Sequence, residues 1–224
     1  MKQGQISPSN VDVFLEKGVF NRDETRKILK AGQDAGLLMN FHGDEINPMQ
    51  SGELAGELGA LAVSHLEKVT DKGIKQMAKK PTFATLLPTT AYLLRLEPPP
   101  ARKFIENGIY QNILKCYQNY THPFILGVPV ALGSDFNPNA YCISMPLVMN
   151  LACVTLKMSM NEALVAATIN AAGSLGKSDL HGSIEPGKWG NFVVVDAPNW
   201  EHLVYQLGEP PIADVIKQGN IVKN

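Results

Sequence analysis

Three times along this chain a short apolar run delivers a side chain that binds metals or moves protons. Leu37-Leu-Met-Asn-Phe41 leads into His42, Ala60-Leu-Ala-Val-Ser64 into His65, and Val128-Pro-Val-Ala-Leu-Gly-Ser134 into Asp135. Apolar runs of this length, bounded by turn residues, read as buried parallel strands. Polar residues at the C-terminal ends of such strands are where α/β barrels keep their chemistry, because successive strand ends open onto one mouth. A repeated pattern of this kind constrains the fold more than any composition figure.

The intervening sequence supplies the helices that such strands need. A β-type run over 11–15 precedes a helical stretch over 23–35, with Ile28 and Leu29 at helical spacing. Residues 51–58 read as a short helix. Thr70 reads as the cap of a helix through Lys80 that turns Ile74 and Met77 inward. A fourth strand is expected over 82–87, closed by Pro88, then a helix over 101–107. Glu97-Pro-Pro-Pro100 is a stiff loop into that helix, and the methionine-rich stretch over 145–160 reads as core. Ser159-Met-Asn-Glu162 is a capping box opening a helix to Ala172. Alternating β and α units imply a parallel sheet with right-handed crossovers. About five such strands are present, where a closed (β/α)8 barrel needs eight. After Gly182 the texture changes to the runs over 192–196 and 215–222, read as strands of a separate small β unit.

Composition excludes several partners. Lys+Arg at 20 against Asp+Glu at 21 leaves a net charge of −1, no footprint for nucleic acid or an anionic membrane surface. No apolar run approaches the roughly 18 residues of a membrane span, and the polar start holds no signal core. The three cysteines, Cys116, Cys142 and Cys153, have no paired spacing, which fits a reducing, cytoplasmic setting. Gly-rich phosphate motifs are absent.

His42, His65 and Asp135 together form a candidate set for Zn²⁺ or Fe²⁺, since imidazole and carboxylate suit both. Glu45, three residues past His42, is placed to orient a substrate or shuttle a proton. Each residue also has a plain structural reading. A histidine at a strand end is commonly a hydrogen-bonded structural residue, Asp135 could cap the following turn, and His42-x-x-Glu45 could be a local hydrogen bond. His122, His181 and His202 read as solvated. The threefold recurrence is what favours the functional reading.

Several motifs carry a resemblance. Ala167-Thr-Ile-Asn-Ala-Ala-Gly-Ser-Leu-Gly176 followed by His181-Gly-Ser-Ile-Glu-Pro-Gly-Lys-Trp-Gly-Asn-Phe-Val-Val-Val-Asp196 resembles the C-terminal signature of the metal-dependent amidohydrolase superfamily. Within it, Asn40-Phe-His-Gly-Asp-Glu45, Leu87-Pro-Thr-Thr-Ala-Tyr-Leu-Leu-Arg-Leu96 and Ala131-Leu-Gly-Ser-Asp-Phe-Asn-Pro-Asn-Ala140 resemble the imidazolonepropionase family of histidine degradation.

The resemblance implies an α/β chain with a partial (β/α)8 TIM-like barrel, about strands 4–8, over residues 1–180. The C-terminal strands of a small β-sandwich follow over 181–224. It implies one divalent metal, zinc or iron, held by His42 and Asp135, with Asp135 taking a proton from the attacking water. Glu45 would contact the imidazolone ring and assist proton transfer, and His65 would pair with the water or the ring carbonyl. Asn137, Asn139 and Ala140 would line the substrate or product site. The reaction would be hydrolysis of the cyclic amide of 4-imidazolone-5-propanoate to N-formimidoyl-L-glutamate.

Two departures accompany the resemblance. The family's first barrel strand carries a His-x-His pair that this sequence lacks, so the chain reads as an N-terminally truncated form of doubtful activity. Residues 109–127 stand where the family runs from Glu-x-Gly straight into the last barrel strand, and read as an insertion. The alternatives are another amidohydrolase, such as a nucleobase deaminase, and a catalytically inactive isoform acting through binding. An open barrel exposes strand edges. The chain is therefore expected to associate or aggregate, a homodimer being one outcome.

Overall fold

The computed structural model describes residues 7–80, 82–106 and 128–222. The segment read as an insertion, together with His122 and Cys116, lies outside the described residues.

The first strand position is filled by two short pieces, β1 (Asn10–Val11) and β2 (Phe14–Leu15). Both pair in parallel with β3 (Leu38–Gly43) in one continuous register, Asn10 opposite Leu38 and Phe14 opposite His42. The expected run over 11–15 is therefore a single barrel strand, interrupted at Asp12 and Val13. Helix α1 (Arg22–Asp34) connects it to β3. Asn21 caps α1 in a capping box with Glu24, and Leu29 is buried beneath it.

Helix α2 (Ser51–Leu58) follows, then β4 (Ala62–His65), α3 (Asp71–Ala78) and β5 (Phe83–Leu86). Thr70 caps α3 by accepting from the Gly73 N–H, and Ile74 and Met77 are fully buried, as the spacing requires. Pro88 does more than end β5. It takes the first position of α4 (Pro88–Leu93), where a missing N–H costs nothing. Helix α5 (Ala101–Glu106) and strand β6 (Val130–Leu132) complete the parallel sheet, in the order β1/β2, β3, β4, β5, β6. Five strand positions, all parallel and in sequential order, form an arc of a barrel. Among the described residues, no further strand pairs with β1 or with the outer edge of β6.

The pleat sets the layers. On β3, Met39 and Phe41 are buried in the core cluster, while Asn40 and His42 alternate to the other face. Helix α6 (Met145–Thr155), opened by Ser144, puts Val148, Met149 and Ala152 in the same core, and Met158 follows it inward.

One expected helix is two. The Ser159 capping box is present, but α7 (Met160–Ala167) breaks at Thr168, whose φ/ψ of −121/−94° is not helical, before α8 (Ile169–Ser174). The break lets α8 dock on the sheet. Asn170 donates to the Val130 carbonyl at 2.9 Å, and Gly173 lies so close to the Phe83 ring that a Cβ there would collide with it.

The C-terminal region forms a separate antiparallel sheet of β7 (Phe192–Val195), β8 (Ile212–Lys217) and β9 (Asn220–Val222). Helix α9 (His202–Tyr205), between β7 and β8, buries Val204 against the barrel core, and the Val204 carbonyl accepts from Asn150 at 3.1 Å. Cys142 and Cys153 are free thiols. Among the described residues, no helix is long and apolar enough to cross a membrane.

Candidate active site

The C-terminal ends of β3, β4 and β6 bring His42, His65 and Asp135 together. One donor atom from each lies within 4.8 Å of the others, a spacing that a single divalent ion can span. The His42 and His65 rings stand 5.4 Å apart, centroid to centroid.

His42 is held from behind. Its Nδ1 lies 2.9 Å from Asp12 Oδ1, at the kink between β1 and β2, which leaves Nε2 for the mouth. A metal-binding imidazole is commonly oriented by a carboxylate in this way. Burial alone would lower the basicity of His42. The Asp12 hydrogen bond and charge, with Asp135 and Glu45 nearby, outweigh that and hold its pKa above the ordinary imidazole value.

The turn after β3 is tightly built. A Cβ on Gly43 would collide with the Ser51 side chain, so only glycine lets α2 approach the strand end this closely. Asp44, fully buried and left-handed at φ 54°, accepts from Met49 N at 2.6 Å and Ser51 N at 2.9 Å. Its burial nevertheless raises its pKa, against the lowering effect of those bonds. The buried Glu16 carboxylate braces the other side of the turn through Ile46 N, Asn47 N and the Asn47 amide.

That turn aims Glu45 away from His42 and towards His65. Glu45 Oε2 lies 3.6 Å from His65 Nε2, so the local His42–Glu45 bond allowed by the spacing does not form. Glu45 is raised above the ordinary carboxylate value, first by burial and further by the charges of Glu67, Asp135 and Glu16, with His65 opposing. A carboxyl group tuned upward holds its proton more readily than an ordinary carboxylate, which suits a proton carrier.

Asp135 does not cap its own turn. Its Oδ2 accepts from Thr90 Oγ1 at 2.6 Å, and Thr89 fixes the preceding Ser134 carbonyl at 2.9 Å. Asn137 builds the turn instead. Its amide donates to the Asp135 carbonyl, and its side-chain oxygen accepts from Asn139 N and Ala140 N. Asn139 is exposed and Ala140 buried. The candidate residues of the last strand thus share one braced loop at the mouth.

Sequence reasoning missed Asp12, Thr90 and Glu67. Asp12 stood as one polar residue inside an apolar run, a signal that could have been read. Glu67 gave none. Left-handed backbone also gathers here. Asp44, His65, Leu66 and Asp135 are four of the eight non-glycine residues with positive φ among the described residues. Each costs on the order of 1–3 kcal/mol, and such strain tends to collect at functional sites.

His181 and His202, read as solvated, are intermediate in burial and make exposed side-chain bonds. His181 stacks on Trp189 and meets Asn191, and His202 Nδ1 meets Asn199. Neither stands at a strand end.

Residues 17–222 match the model of the Amidohydrolase family. The chain belongs to that family. It is similar to proteins named probable imidazolonepropionase: 53% identical over 223 residues to that of Homo sapiens, covering 99% of this chain and 48% of the relative. The Dictyostelium discoideum relative is 60% identical over 219 residues, covering 98% and 47%, and that of Nematostella vectensis 54% over 224, covering 99% and 48%. This amidohydrolase therefore spans about half the length of the curated relatives it matches.

Among solved structures, it resembles an adenosine deaminase from Xanthomonas campestris with bound zinc. The TM-score is 0.70 at 19% identity, covering 98% of this chain and 53% of that one. An N-isopropylammelide isopropylaminohydrolase from Burkholderia multivorans aligns with a TM-score of 0.69 at 18% identity, over 96% and 55%. At such identities these two establish the amidohydrolase fold, and the partial-barrel expectation agrees with it.

Proposed function

We propose that this amidohydrolase carries part of a centre that hydrolyses the cyclic amide of 4-imidazolone-5-propanoate to N-formimidoyl-L-glutamate, a step of histidine degradation. The observation that carries this reading is the convergence of His42, Glu45, His65 and Asp135 on one mouth, in a chain more than half identical along its length to proteins named for that activity.

His42 and Asp135 would hold one divalent ion, zinc or iron, and His65 lies within reach of the same ion. The ion would act as a Lewis acid and lower the pKa of water. Asp135, oriented by Thr90, takes the proton from the attacking water. Glu45, with its raised pKa, passes a proton to the ring nitrogen that leaves when the amide C–N bond breaks. His65 pairs with the attacking water, accepting from it at Nε2. Asn137, Asn139 and Ala140 line the substrate side of the loop.

The test is ring opening of 4-imidazolone-5-propanoate by the chain loaded with Zn²⁺ or Fe²⁺, with guanine and adenosine as competing substrates. Because the sequence holds no His-x-His pair, little turnover is expected from the chain alone. Recovery is expected when the segments of its relatives that it does not match are added in trans. Deamination of a purine without ring opening, or no recovery with those segments present, overturns the reading.

A further inference from the structure

Among the described residues, Glu67 alone has two buried side-chain polar atoms without a hydrogen-bond partner. Its side chain is fully buried, and neither carboxylate oxygen has a hydrogen-bond partner. His65 Nδ1 lies 3.8 Å from Glu67 Oε2 and is itself buried and without a hydrogen-bond partner. Two orphaned groups of complementary chemistry lie within ion-pair distance of each other.

The backbone between them explains the meeting. His65 and Leu66 are both left-handed, at φ 78° and 71°, and Leu66 is completely buried. This double departure turns the chain sharply at the end of β4. Leu66 N bonds the Gly43 carbonyl at 3.2 Å and Lys68 N the Asp44 carbonyl at 2.7 Å, tying the turn to the β3 strand end. A buried, unbonded carboxylate and two strained residues are each unfavourable for folding. Local violations of this kind concentrate where function requires them.

We propose that Glu67 is the positioning residue of His65. Its carboxylate receives Nδ1–H, which fixes the neutral tautomer and leaves the Nε2 lone pair facing the mouth beside Glu45. The residue touches neither substrate nor metal and acts through the ring alone. Asp12 performs the corresponding task for His42, so the two imidazoles of the site are each set from behind by a carboxylate of a different element.

The inference rests on His65 belonging to the proposed site, not on the identity of the substrate. The test uses the full chain, labelled with ¹⁵N at histidine, read by long-range ¹H–¹⁵N correlation above the pH where imidazoles protonate. The expected His65 pattern is a protonated Nδ1 and an unprotonated Nε2. Glu67→Gln keeps an acceptor of the same shape and preserves that pattern. Glu67→Leu moves the proton to Nε2, towards Glu45, while the His42 signals stay in place.

A proton on Nε2 in the unaltered chain overturns the proposal without any variant, so a Leu variant that fails to fold does not shelter it. An unchanged His65 tautomer in Glu67→Leu overturns it equally. The expected tautomer pattern alongside absent ring opening would leave this inference standing and the substrate reading fallen.

Discussion

His42 and His65 stand one strand apart, at the ends of β3 and β4, and their approaches are spelled alike: an apolar run, then histidine. Their surroundings differ in kind. His42 is one-third exposed, and its partner Asp12, itself half-exposed, lies at 2.9 Å in good hydrogen-bond geometry. His65 is 3% exposed, sits on a left-handed backbone, and lies between two buried carboxylates at 3.6 and 3.8 Å. The same sequence grammar therefore yields one imidazole in a relaxed, solvated bond and another held dry on a strained backbone, its Nδ1 without a hydrogen bond. A carboxylate behind an imidazole can be cheap to maintain or expensive, depending on whether water reaches it.

The comparison can be broken at the strand end where the effect should be greatest. His42→Ala removes a proposed ligand outright, and zinc affinity should fall by more than the roughly 10–100-fold that follows loss of an outer-shell partner. An unchanged affinity by chelator competition would remove His42 from the site. Asp12→Asn keeps the shape and loses the charge, and should sit inside that range. Loss of more than 100-fold would make Asp12 a ligand rather than a support.

Stability should separate the two supporting carboxylates by size. Glu67→Leu strips the buried His65 Nδ1–H of its proposed acceptor and should cost about 1–3 kcal/mol in urea denaturation. Asp12→Leu acts at a half-exposed position and should stay within about 0.5 kcal/mol of the parent. Equal effects would mean that the two ends are energetically alike after all.

A control lies away from the mouth. Glu162 closes the capping box of α7 and pairs with Arg102 of α5 at 2.7 Å. Burial pushes its pKa up, but the Ser159 backbone bond and Arg102 outweigh this and lower it below the ordinary value. A lowered pKa adds stability that is present above the ordinary carboxylate value and is lost as pH falls through the folded-state value. Glu162→Ala should cost about 1 kcal/mol at neutral pH. The gap to the parent should narrow on acidification, in urea melts at several pH values, and a gap that is constant with pH would show that the charge contributes nothing.

Much of the barrel arc was legible because its signals are local. The Thr70 cap, the Ser159–Glu162 box and the inward Ile74 and Met77 depend only on neighbours within a turn or two. The helix break at Thr168 was not legible, since nothing between Ser159 and Ala172 interrupts the helical pattern. What decides it is α8 docking on Val130 and Phe83, contacts that the helical period does not encode. Of the candidate site, the strand-end residues were readable and their supports were not. Thr90 reaches Asp135 across 45 residues of chain, and Asp12 reaches His42 across 30.

By itself, the sequence determined which residue types stand at the strand ends. Apolar runs must pair and bury, and whatever follows each run is carried to the same side of a parallel sheet. Tertiary structure alone decided what stands behind them. The β1/β2–β3 register put Asp12 on His42, α4 put Thr90 on Asp135, and the left-handed turn at His65 and Leu66 buried Glu67. These are matters of distance and solvent access between residues far apart in sequence. Hydrogen bonding and burial, unlike secondary-structure propensity, take their sign from that distance and that access.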